Sequence, residues 1–340
     1  MTPRERVRFA LDRKEPDRVP YCELGIDRAL AEQIMGWGSG ESERANLEAM
    51  AYTVEECKAI ARKLNLDNIT FALRAPVYAD KLPGKHGRLF YGRGQIKSEK
   101  DIGKIKLPDP HDPALYRDAE NFVRNKGHYS AWLVTRIGIF PTMLSLGIET
   151  FSLALYDNRK FVETVMDLYF DWARVMAENV CQMGFDAIVT TDDLAFKTQP
   201  FFSPKIFREL VVPRYKRVVE KITIPWFIHS DGNIEPFLDD FLALGSCGVH
   251  PNEKGAMDIR QIKKKYGHRV CLLGNVDLNL LGTGTPEEVD EEVRGLIRDL
   301  APGGGYIVTS GNSLAGYLKP ENALALSRAV QKYGRYPIAL

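Results

Sequence analysis

The chain has 340 residues, of which 44% are apolar and 27% charged, and its formal net charge is +1. That balance suits one globular domain whose core needs no disulfide or structural metal to form. A charge so close to zero excludes a broad basic surface for nucleic acid or anionic lipid. The five cysteines, Cys22, Cys57, Cys181, Cys247 and Cys271, are scattered with no CxxC pair, which fits a reducing compartment better than a disulfide framework. There is no apolar run of about 18 residues, and Met1–Arg6 lacks the core of a signal peptide. A cytoplasmic location with no membrane span is expected.

In chain order, Thr2-Pro3-Arg4-Glu5 opens a helix with a capping threonine, proline at the first helical position and glutamate three residues after the cap. Short, apolar, β-rich runs then recur at Val19–Glu23, Leu66–Phe71, Ser130–Arg136, Ala187–Thr191, Ile224–His229, Cys247–Pro251, Arg269–Gly274 and Gly305–Thr309. Helical patterns separate them. Eight strands alternating with helices predict an α/β fold, a (β/α)8 TIM barrel, as a single domain over residues 1–340.

The intervening segments carry their own signals. Gly36-Trp37-Gly38-Ser39-Gly40 follows no strand closely and lacks the full GxGxxG spacing, so it reads as a surface loop. Arg74–Asp112 is too irregular for one helix and predicts an excursion beside the barrel mouth. Between Asn158 and Gly184, Phe161, Val165, Leu168, Trp172, Met176 and Val180 form an apolar stripe for core packing. Ser203-Pro204 and Thr285-Pro286-Glu287-Glu288 open further helices. Lys263-Lys264-Lys265 belongs to a helix terminus, and Gly303-Gly304-Gly305 to a sharp turn.

In a barrel, functional groups gather where strands end. The sharpest cluster is Trp226-Phe227-Ile228-His229-Ser230-Asp231-Gly232-Asn233. Alternation along an extended segment puts His229 and Asp231 on one side. With Glu253 they could hold Zn²⁺ and leave one position open; a hydrogen-bonded His–Asp pair shaping the loop is the plainer alternative. Asp192 and Asp193 offer a general base, a metal ligand or a partner for His229, or else a loop hydrogen bond. Arg136 joins them as a catalytic candidate. Glu23, Arg74, Phe140, Tyr306, Asn275 and Ser310 are the candidate substrate contacts.

Several motifs in the right order resemble one superfamily. They are Thr2-Pro3-Arg4-Glu5-Arg6 through Pro16-Asp17-Arg18-Val19-Pro20, Phe202-Ser203-Pro204 through Val212-Pro213, the His229 cluster, Leu273-Gly274-Asn275-Val276-Asp277, Gly284-Thr285-Pro286-Glu287-Glu288-Val289 and Gly303-Gly304-Gly305-Tyr306-Ile307. The chain thereby resembles the uroporphyrinogen decarboxylase / corrinoid-dependent methyltransferase superfamily over nearly its whole length. That resemblance implies a barrel with its site at the C-terminal mouth. The decarboxylases carry an arginine-rich segment after the first strand and an aspartate after the second. Here Leu24–Ala29 holds one arginine, Arg28, and Leu73 stands at the acid position. The methyltransferase branch implies zinc, a corrinoid (cobalamin) on a partner protein, and ligands at His229, Asp231 and Glu253, with Asp193 as a further carboxylate.

Thiol-directed members hold zinc with His-x-Cys and a later cysteine; Asp231 and Ser310 replace those sulfurs here. An oxygen-rich set leaves the metal a stronger Lewis acid, suited to an oxygen substrate. The expected function is zinc-assisted O-demethylation of a methoxylated substrate, an aryl methyl ether, with a homodimer as a compatible assembly. A divergent uroporphyrinogen decarboxylase and a non-catalytic tetrapyrrole- or partner-binding barrel are the alternatives.

Overall fold

A computed structural model describes residues 1–38, 52–84 and 89–339. The strands are β1 (Asn68–Ala72), β2 (Ala79–Pro83), β3 (Leu89–Gly94), β4 (Ser130–Thr135), β5 (Ala187–Thr191), β6 (Trp226–His229), β7 (Gly248–His250), β8 (Cys271–Leu273) and β9 (Tyr306–Ile307). Seven of them form one sheet in the order β1-β4-β5-β6-β7-β8-β9, every neighbouring pair parallel. The sheet curls, with helices between its strands, as the alternating pattern requires.

The first predicted strand, Val19–Glu23, is present only as a bridge. Tyr21 pairs in parallel with Val308. The Cys22 N–H donates to Val308 O at 3.0 Å, and the Val308 N–H to Pro20 O at 3.0 Å. On the other side, the Asp67 N–H donates to Tyr21 O at 2.8 Å. The segment thus touches both edges of the seven-stranded sheet, but Pro20 has no N–H to extend the ladder. The expectation of eight full strands is met by seven and this short bridge.

Alternation sorts the strand residues into two cores. Trp132, Val134, Ala187, Val189, Phe227, Leu273 and Ile307 form an inner cluster with Val7, Ala10 and Leu11 of helix Pro3–Leu11. Their neighbours Ala131, Leu133, Ile188, Ile228 and Leu272 belong to the layer shared with the outer helices. Trp132 meets Phe227 edge-on at 5.1 Å, a favoured aromatic geometry. The opening helix therefore plugs the end where strands begin and leaves the other end for a site. Its capping box is formed as the sequence predicts, as is that of helix Pro286–Leu300. At this floor Asp67 is fully buried and accepts from Arg6 at 2.5 Å and from Arg18 at 3.0 Å.

Helix Arg159–Cys181 buries Phe161, Val165, Trp172, Met176 and Val180. Leu168, assigned to the same stripe, is exposed instead, because the buried face at that turn runs through Val165, Tyr169 and Trp172. Lys263 donates to Gly304 O at 2.6 Å, tying its helix to a glycine turn whose three residues all have positive φ. Gly36 ends helix Arg28–Met35 in the left-handed region; Ser39 and Gly40 of that loop lie outside the described residues. The irregular 74–112 excursion contains the antiparallel β2–β3 hairpin. Among the described residues no single helix is long and apolar enough to cross a membrane.

Candidate metal and substrate site

Strands β5 and β6 run side by side with Thr191 opposite His229. The two residues after β5 and the two after β6 therefore emerge together. Donor atoms of Asp193, His229 and Asp231 all lie within 4.8 Å of one another. His229 Nε2 stands 3.9 Å from Asp193 Oδ1 and 3.9 Å from Asp231 Oδ1. These separations are too long for direct hydrogen bonds and suit ligands around a shared cation.

The loop around them is tightly built. The Asp231 N–H donates to Asp193 Oδ1 at 3.0 Å, and Asn312 Nδ2 donates to Asp231 Oδ2 at 2.6 Å. The Gly232 N–H donates to Glu253 Oε2 at 2.7 Å. Gly232 has φ +80°, and a Cβ there would come within 2.4 Å of Ala195 O, so only glycine suits this turn.

A chain of hydrogen bonds fixes the state of His229. The Thr309 hydroxyl has one proton and donates it to Ser310 O at 2.7 Å. It must therefore accept from His250 Nε2, 3.0 Å away. The buried His250 is held neutral, because desolvation and then the neighbouring His229 push its pKa far down. Its Nδ1 is thus a bare acceptor, 2.6 Å from His229 Nδ1, and His229 must carry its proton on Nδ1. Burial holds His229 down to about 4, so at neutral pH its Nε2 presents a lone pair to the two aspartates. This tautomer, assigned from the network, is the one a metal requires.

The carboxylates complete the fit. Burial, then the charges of Asp193 and Glu253, push Asp231 up to about 8. Asp231 Oδ1 is buried with no hydrogen-bond partner among the described residues. A bare imidazole nitrogen, an unpartnered carboxylate oxygen and a second carboxylate suit zinc or another borderline divalent ion.

The three residues open into a cavity of 270 Å³, lined also by Arg74, Tyr91, Arg136, Phe140 and Asn312. The hairpin contributes Leu89, Phe90 and Tyr91 to its wall. A larger cleft of 770 Å³ lies on the flank, between residues 254–260 and helix Pro286–Leu300. No histidine lines it among the described residues, so we place the chemistry in the smaller cavity.

Other predicted residues lie elsewhere. Asp192 is buried in a cage, accepting from Tyr215 Oη at 2.7 Å and from the N–H groups of Ile137 and Phe140 at 3.2 and 3.1 Å. Its burial raises its pKa, and it shapes the Arg136–Phe140 turn instead of facing the cavity. Glu23 is buried against Ser310, whose N–H and Oγ reach it at 2.9 and 2.6 Å. Tyr306 is fully buried and donates to Gly274 O at 2.6 Å. Asn275 Nδ2 donates to Asn252 O at 2.6 Å, and the residue borders the flank cleft. Glu253 stands behind the gathered trio, holding Gly232 and 3.5 Å from Lys197. His250, Thr309 and Tyr91 were not singled out by sequence reasoning. A visible signal existed for His250: two adjacent strands, β6 and β7, both end in histidine at one register.

The family model for uroporphyrinogen decarboxylase (URO-D) matches residues 94–333. The chain belongs to this family. A uroporphyrinogen decarboxylase from Alkalilimnicola ehrlichii is 25% identical over 250 residues, covering 70% of this chain and 67% of that protein. Another, from Chlorobium phaeovibrioides, is 25% identical over 254 residues, covering 70% of each. Among solved structures, a methyltransferase from Methanosarcina mazei aligns over 98% of this chain and 99% of its own, with a TM-score of 0.77 at 18% identity. A B12-independent methionine synthase from Shewanella sp. W3-18-1 aligns over 93% and 98%, with a TM-score of 0.54 at 11% identity. These two likenesses concern the fold. Within this URO-D family member, Leu73 packs against the core, and Arg28 pairs with Glu56 at 2.8 Å instead of lining the cavity.

Proposed function

We propose that this protein is a metal-dependent methyltransferase that removes the methyl group of an O-methyl substrate and passes it to a corrinoid carried by a partner protein. The observation that carries this reading is the convergence of Asp193, His229 and Asp231 on one side of a small cavity. Asp193, His229 and Asp231 would hold a divalent ion, zinc by its donor set, which would supply Lewis acidity to an oxygen substrate. The residues present do the rest. His250 and Thr309 keep the His229 lone pair facing the site. Asn312 and the Asp231 N–H orient the two aspartates. Phe140 and Tyr91 wall the space for a flat substrate.

The sequence relatives favour a second reading, decarboxylation of a porphyrinogen. Leu73, where those enzymes are expected to hold an acid, leaves no carboxylate at that position.

The first test is the metal content of purified protein beside His229→Ala and Asp193→Ala. Near one zinc per wild-type chain, lost in both variants, supports the reading. Wild-type zinc in both variants, or none in any form after zinc is added, contradicts it.

A further inference from the structure

We propose that the flank cleft is a second ligand site, built for a small alkylammonium ion: an ammonium group on a short apolar chain. The site lies apart from the metal cavity and does not depend on the reaction assigned there.

The two walls come from different parts of the chain. One is helix Pro286–Leu300, where Glu288, Glu291, Glu292 and Gly295 fall at spacings of three and four and share a face. The other is the turn over residues 254–258 and the start of helix Ile259–Tyr266. Met257, Ile259 and Leu296 are buried and give the 770 Å³ space an apolar floor beneath a charged rim.

Charge selects the sign of the ligand. The lining carries four carboxylates, Asp258, Glu288, Glu291 and Glu292, against Lys254 and Arg260. Both cations are already engaged, Lys254 with Glu292 at 3.0 Å and Arg260 with Asp299 at 2.6 Å. The surplus is negative, so the cleft attracts a cation and repels an anion.

Two further observations distinguish this cleft from a patch of surface acids. Asn275 lines it although only 4% exposed. Its Nδ2 donates to Asn252 O at 2.6 Å, which leaves Oδ1 an acceptor with no partner among the described residues. Buried polar atoms are nearly always paired, and an ammonium group has three N–H donors to offer. Gly295 is the second observation. It sits in a helix interior, where glycine is unfavourable, and a Cβ there would meet only Arg260 Nη2, at 3.9 Å. Packing does not demand glycine at this position; its missing side chain keeps the cleft open. An ammonium group at Asn275 and the carboxylates, with its chain against Met257 and Leu296, uses both features.

Full-length protein would be titrated calorimetrically with 1,5-diaminopentane, pentylamine, 1-pentanol and pentanoate. Gly295→Leu extends a side chain into the cleft and should melt at or above wild type, since leucine is the better helix former. Glu288→Gln/Glu291→Gln removes two charges while glutamine still serves the helix cap. Wild type is expected to bind both amines, the diamine more tightly, and to bind the alcohol and the acid far more weakly. The paired glutamine variant should bind the amines about 5- to 20-fold more weakly, the scale of two exposed ion pairs, and Gly295→Leu should lose them. If Gly295→Leu does not fold, the paired glutamine variant still decides. Pentanol or pentanoate bound as tightly as pentylamine overturns the proposal. So does amine binding unchanged in both variants, or no amine binding by wild type at millimolar concentration.

Discussion

Replacing His250 by leucine should cost the protein metal without touching a metal ligand. His250 is buried, and its Nδ1 is the acceptor for His229 Nδ1 at 2.6 Å. Leucine fills much of the same space and offers no acceptor. The His229 N–H is then buried and unpaired, at a cost of about 1–3 kcal/mol. His229 escapes that cost by moving its proton to Nε2, the atom that faces Asp193 and Asp231. A protonated Nε2 cannot bind a metal, so zinc must reverse the shift before it binds. At about 1.4 kcal/mol per factor of ten, the penalty corresponds to about 10- to 100-fold weaker zinc binding, the usual range for losing the partner of a metal-bound histidine. Competition against a chromophoric chelator measures the affinity, and a thermal melt checks the fold. Wild-type affinity in folded His250→Leu would refute the assignment of the proton along Thr309, His250 and His229.

Further outcomes follow from other groups. Asp231, raised to about 8 by burial and its carboxylate neighbours, must lose a proton to bind metal. Zinc affinity should therefore climb about tenfold per pH unit below that value and flatten above it; a chelator titration across pH 6–9 that shows no slope contradicts this. Glu23 is raised to about 8 from an ordinary 4.5, chiefly by burial. The stability tied to its proton is present below pH 4.5 and is lost as pH rises through 8. Glu23→Gln should therefore melt higher than wild type by a margin that widens up to pH 8, and an equal margin at pH 5 and pH 9 would contradict the burial argument. Asp67→Ala takes from Arg6 and Arg18 the buried carboxylate they share at the sheet floor, leaving Arg6 its second partner, Asp17, at 2.7 Å. It should cost about 3–5 kcal/mol in denaturant unfolding, and a loss below 1 kcal/mol would show that the network is spectator to stability.

Much of this arrangement was legible in the sequence, for reasons that also explain the gaps. Runs such as Ala187–Thr191 are short, apolar and bounded by turns, so strand positions could be read directly. Val19–Glu23 looked equivalent, yet Pro20 limits it to a bridge. The His229 and Asp231 pairing followed from alternation along an extended segment. The same alternation required Asp192 and Asp193 to point apart, but spacing could not say which faced the cavity; packing against Tyr215 decides it. Glu253 and Asp193 both follow strands next to β6, and only the path of the loops places Asp193 beside the imidazole. Tyr306 and Ser310 were read as substrate contacts near the barrel mouth, and both turn inward to hydrogen-bond partners. Tyr91 belongs to a hairpin no barrel pattern predicts.

The central claim is most directly tested by supplying zinc-loaded protein with methoxybenzene carrying a ¹³C-labelled methoxyl group and a reduced corrinoid, and following the label by NMR. The label should move to a cobalt-bound methyl group with release of phenol, and His229→Ala should abolish the transfer. If wild-type protein holds zinc but the label never leaves oxygen, or if it decarboxylates uroporphyrinogen instead, methyl transfer is not its reaction.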